Sequence, residues 1–127
     1  MLRRVATAAA IGALATLTLA VPGANAGTLD AGATPKSGST AVKIRTGPGT
    51  GYTAVAQVGA GQWVGCWYPA TTDCNKTSTG VATGDSYTCN GVTSNKWLKV
   101  GYNLTLKYVA LGCVNTAHIP PGAVVIG

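Results

Sequence analysis

The sequence predicts a small all-β domain, about five short strands closed as a barrel or packed as paired sheets, with a cross-linked insertion. Three observations carry this. From residue 41 onward, short apolar runs of period two recur between glycine-rich turns. Beyond residue 26 no ten-residue stretch carries a 3.6-residue period. Four cysteines follow an N-terminal export signal, and an oxidising compartment turns cysteines into disulfides.

The export signal comes first among the 127 residues. Met1-Leu2-Arg3-Arg4 is a short basic start, and residues 5–21 are an apolar run rich in Ala and Leu. Pro22-Gly23 breaks the run, and Ala24-Asn25-Ala26 is a small-x-small site, so cleavage is expected after Ala26. No span remains after cleavage. The full chain carries a net charge of +6; losing Arg3 and Arg4 leaves seven basic residues against three acidic ones, or +4. What remains is about one hundred residues, one domain with a modest core.

Residues 27–40, GTLDAGATPKSGST, are small and polar and read as a flexible leader. Residues 41–46 alternate, with Val42 and Ile44 on one side and Lys43 and Arg45 on the other, a half-buried strand. Gly47-Pro48-Gly49-Thr50-Gly51 is a turn, closed by Tyr52. Residues 53–58 are a second strand, and Gly59-Ala60-Gly61 a second turn. Residues 62–68, QWVGCWY, suit a third strand, with Val64, Cys66 and Tyr68 on one face and Trp63, Gly65 and Trp67 on the other.

Residues 70–95 are polar and read as a long insertion holding Cys74 and Cys89, with room for a small hairpin near Val81 and Tyr87. Residues 96–100, KWLKV, and 104–111, LTLKYVAL, are the fourth and fifth strands, joined through Gly101-Tyr102-Asn103. The barrel domain thus spans residues 41–114, and residues 115–127, with Pro120-Pro121, form an extended tail.

Composition excludes most chemistry. Beyond the signal there are three Asp, no Glu and one His, the residue types on which acid–base catalysis and metal cages depend. No C-x-x-C pair exists for zinc. An enzyme, a metal and a cofactor are therefore not expected, and nucleic-acid binding is disfavoured by export and by the small charge. Four cysteines allow three pairings. Cys74–Cys89, clipping the insertion, with Cys66–Cys113, tying the third strand to the barrel's end, is the favoured one.

The order of pieces resembles bacterial SH3-like domains. Val42-Lys43-Ile44-Arg45-Thr46-Gly47-Pro48-Gly49-Thr50-Gly51-Tyr52 is similar to the family's opening strand, Arg-Ser/Thr-Gly-Pro turn and aromatic. Residues 56–61, 62–68 and 96–100 follow in the family's order, and Lys107-Tyr108-Val109 resembles its closing Gly-Tyr-Val, with Lys in place of the first Gly. The resemblance covers about residues 41–111. It implies an SH3-like barrel and an exported, non-catalytic binding module, holding peptidoglycan peptides or other cell-wall polymers.

Exposed aromatic plates and cations are the residues such a module would use. Tyr52, Trp63 and Trp67 are the candidate stacking residues, and Arg45 and Lys99 the candidate charge contacts. The alternative is a disulfide-braced interaction or inhibitor protein that presents the 70–95 loop to another secreted protein.

Overall fold

The computed structural model describes residues 31–68, 74 and 79–127. The expected export signal at 1–26 and most of the stretch between Tyr68 and Thr79 lie outside the described residues. The described residues form nine strands: β1 (Ala31–Pro35), β2 (Ala41–Arg45), β3 (Ala54–Gly59), β4 (Gln62–Gly65), β5 (Val81–Cys89), β6 (Val92–Tyr102), β7 (Thr105–Ala110), β8 (Val114–His118) and β9 (Val124–Ile126). A turn of 3-10 helix, Leu111–Cys113, precedes β8. No helix among them is long and apolar enough to cross a membrane. The all-β class holds.

Two sheets carry the fold. One is four-stranded in the order β8-β1-β4-β9, and the other is five-stranded in the order β3-β2-β7-β6-β5. Period-two alternation aims one face of each sheet at the other. Val42 and Ile44 of β2, Val58 of β3, Leu98 and Val100 of β6 and Val109 of β7 meet Ala31, Ala33, Val64 and Val114 in one buried cluster. An isolated bridge between Cys66 and Val100 joins the sheets where β4 ends. As expected, Val64 and Cys66 are buried. Tyr68, expected on their face, is 42% exposed, because the chain leaves the strand at Gly65.

The leader and tail need correction. Within the stretch read as flexible, Ala31–Pro35 is a central strand, paired with β8 from Val114↔Pro35 to His118↔Ala31 and with β4 at Gly32↔Gly65 and Ala33↔Val64. Its residues are small because space is short. A Cβ on Gly32 would lie 2.8 Å from the Ile119 side chain and 2.8 Å from the Val64 carbonyl oxygen. The tail is built in as well: Val124–Ile126 pairs in parallel with Gln62, Trp63 and Val64. The folded unit therefore runs well beyond residues 41–114 on both sides.

The insertion also differs. From Val81 it is the first strand of a long hairpin, β5–β6, that turns at Asn90-Gly91 with φ of 53° and 78°. Positive φ at both positions matches the right-handed twist of the flanking strands. The β6–β7 hairpin turns at Asn103-Leu104 with φ of 51° and 62°, and Leu104 is 95% exposed.

Cysteine pairing is Cys66–Cys74 and Cys89–Cys113, not the favoured Cys74–Cys89 and Cys66–Cys113. The reason lies in β5. Nine extended residues carry Cys89 about 27 Å along the strand, and the arm delivers it to the 3-10 turn that holds Cys113. With sequence separations of 8 and 24, the two cross-links remove chain entropy worth about 2.5 and 3.5 kcal/mol from the unfolded state.

Two outcomes follow. Cys89→Ser with Cys113→Ser lowers the unfolding free energy by about 3 kcal/mol in urea titration, and a non-reduced digest releases Cys66 linked to Cys74. Gly32→Val lowers stability by about 1–3 kcal/mol, measured the same way; a truly flexible leader would show no change.

Candidate functional site

β6 is apolar on both faces. Leu98 and Val100 enter the core between the sheets, while Trp97, one residue out of phase, faces away from it yet is 1% exposed. The cover is the distal half of the β5–β6 hairpin, an arm that bends back over the outer face. Tyr87 meets Trp97 edge-on with ring centroids 5.0 Å apart. The indole Nε1–H donates to the Asp85 carbonyl at 3.0 Å. The Tyr87 hydroxyl donates to the Lys96 carbonyl and accepts from the Gly112 amide at 2.8 Å. A register shift between Thr83 and Tyr87 supplies the bend.

The arm is tied to the edges of β2 at two places. At one end the Asp85 amide donates to the Pro48 carbonyl at 3.1 Å. Gly84 is obligatory here, since a Cβ on it would strike the Pro48 carbonyl; a Cβ on Gly49 would displace the Asp85 carboxylate. At the other end the Asn90 side-chain amide donates to Ser39 Oγ at 3.3 Å, and Ser39 Oγ lies 3.7 Å from Cys89 Sγ.

Between the ties β2 and the arm stand apart and leave a slot of about 420 Å³. Lys43, Arg45 and Thr50 line one side, Tyr87, Thr88 and Asn90 the other, with Trp97 and Ala110 among the lining residues between them. No acidic residue lines it. Its size suits a small ligand, for which pockets run roughly 300–1,000 Å³.

Arg45 builds the loop beside the slot. Its Nη1 donates to the Thr50 carbonyl at 3.1 Å and the Tyr52 carbonyl at 2.9 Å. The Tyr52 ring lies so close over Gly47 that a Cβ there would collide with it. The ring is nonetheless 49% exposed. The Gly-Pro-Gly run is thus a matter of close approach at Gly47 and Gly49, rather than of positive φ.

The five residues singled out from the sequence fall into three places. Arg45 and Tyr52 share the loop, and Arg45 lines the slot. Lys99 lies farther across the same sheet, and Trp67, just past the end of β4, donates its amide to the Lys99 carbonyl at 2.9 Å and packs its indole against Gly101. Register sets Arg45, Tyr108 and Lys99 side by side across β2, β7 and β6, on the outward face. Trp63 stands apart, half-buried on β4 beside Val125 of β9.

Lys43, Tyr87, Thr88 and Asn90 were not singled out. Lys43 carried a signal, since period two puts it on Arg45's face. The other three lay in a segment without periodicity. Among the described residues no three metal-ligating side chains converge, and all four cysteines are in disulfides.

No family model, no curated protein and no solved structure matches the chain. The arm's attachment can be measured directly. Tyr87→Phe keeps the ring contact with Trp97 and removes the hydroxyl's two hydrogen bonds. It lowers stability by about 1–3 kcal/mol and speeds hydrogen exchange at Gly112; unchanged exchange there means the arm is not held by this group.

Proposed function

We propose that the protein is an exported, non-catalytic module that binds cell-wall material, peptidoglycan peptides or anionic wall polymers, in the slot between β2 and the arm. One observation carries this reading: two cations, Lys43 and Arg45, line a concave site that has no acidic residue. Such a site attracts anionic groups, and the exposed Thr50 on its rim adds a hydroxyl to orient them.

Other features agree with it. Two disulfides belong to an oxidising setting outside the cytoplasm. The bridge between Cys66 and Val100 supports reading β2 to β7 as an SH3-like barrel, in line with the resemblance. Lys99 and the neighbouring Trp67 would extend the contact surface beyond the slot. The rival reading, presentation of the 70–95 loop to a second protein, is less favoured. From Val81 onward that segment is a hairpin fastened to the domain.

Sedimentation with purified cell walls tests the proposal. The protein pellets with walls at low salt and is released as salt rises, since screening weakens exposed charges. Lys43→Ala lowers the bound fraction about fivefold, an effect near 1 kcal/mol, with its melting curve unchanged. A protein that stays in the supernatant, or a Lys43→Ala variant that pellets like the parent, overturns the reading.

A further inference from the structure

The slot has two properties that wall binding alone does not require. Its ends are shut, by Asp85 on Pro48 and by Asn90 on Ser39. One of its cations is already oriented. Arg45 uses only Nη1 on the loop carbonyls; Nε and Nη2 have no hydrogen-bond partner among the described residues. The Lys43 ammonium has none either.

These properties narrow the ligand. A polymer bound in mid-chain must leave its site in two directions, and a slot tied at both ends opposes that. A chain terminus has to leave in one direction only. The guanidinium, anchored through one nitrogen, keeps two adjacent donors in a plane, the arrangement that matches the two oxygens of a carboxylate. Ala41 and Ala110 provide apolar lining for a small side chain. Asn90, whose amide nitrogen is on Ser39, keeps its side-chain carbonyl to accept from a peptide amide.

We propose that the slot captures the free C-terminal carboxylate of a short peptide, with Arg45 Nε and Nη2 on the carboxylate and Lys43 as the second charge. This rests on the wall-binding reading for its biological source, but not for its chemistry.

The probes are N-acetyl-alanyl-alanine as the free acid and as its C-terminal amide, titrated into ¹⁵N-labelled protein at low salt. The acid shifts the amide signals of Lys43, Arg45 and Thr88 and binds about tenfold more tightly than the amide, the worth of one charge-assisted contact. Arg45→Lys keeps the charge and loses the paired donors. It weakens the acid about tenfold and leaves the amide unchanged. Lys107→Ala, which removes a charge outside the slot, leaves both unchanged. Should Arg45→Lys fail to fold, Lys43→Ala on the exposed β2 face serves instead.

Equal binding of acid and amide overturns the proposal, as do shifts confined to residues outside the slot. If neither probe binds while the protein still pellets with walls, the chain-end assignment falls and the wall reading stands. If the acid binds and the protein does not pellet, the reverse holds.

Discussion

Trp97 has to be covered on the side of its sheet that faces away from the core, and much of the architecture answers that requirement. A fully buried Trp removes 150–250 Å² from water, worth about 4–6 kcal/mol by area. The four-stranded sheet cannot supply the cover, because it packs on the opposite face. The β5–β6 hairpin supplies it by growing past the end of β7 and folding back. That fold-back brings Tyr87 onto the indole, Asp85 to the 47–49 turn and Cys89 to Cys113. Remove the indole and the arm has little to lie on.

The slot is a by-product of how the cover is fastened. A strand that lay flush on β2 would leave no space, and one attached only at its base would swing. Ties at two separated points hold the arm away from β2 at a fixed spacing. The glycines at 49 and 84 permit the close approach at one tie, and the disulfide from Cys89 secures the other. Lys43 and Arg45 are then presented to the gap simply because Val42 and Ile44 must face inward. Core packing in one direction thus fixes charge placement in the other.

Much of the five-stranded sheet was legible in the sequence, for a clear reason: its strands β2, β3, β6 and β7 alternate large apolar residues with polar ones, and glycine turns bound them. The four-stranded sheet was harder. Ala31, Gly32 and Ala33 look like a linker by composition, and only the tight quarters beside Val64 and Ile119 show why nothing larger would fit. Val124-Val125-Ile126 did carry an apolar signal, but a parallel pairing with β4 cannot be inferred from local pattern. β5 was obscured because its bend interrupts the alternation at Gly84-Asp85, the very feature that lets it cover Trp97. Cysteine pairing depended on where β5 delivers Cys89, and so inherited that uncertainty. Of the site, Arg45 was legible from its strand and Lys43 from the same periodicity; the facing wall was not.

The pairing of β1 with β8 has a kinetic consequence. Ala31 opens the described polypeptide and His118 ends its penultimate strand, yet they share a ladder, and β1 is an interior strand of its sheet. β1 also pairs with β4 at Gly32↔Gly65 and Ala33↔Val64, so two nonlocal ladders, one of them reaching to β8, must close before it is held on both sides. Acquisition of the native state should therefore be slow and late, in the millisecond-to-second regime of nonlocal topologies. The wide sequence separation of its ladders thus makes that sheet the late-forming half of the fold.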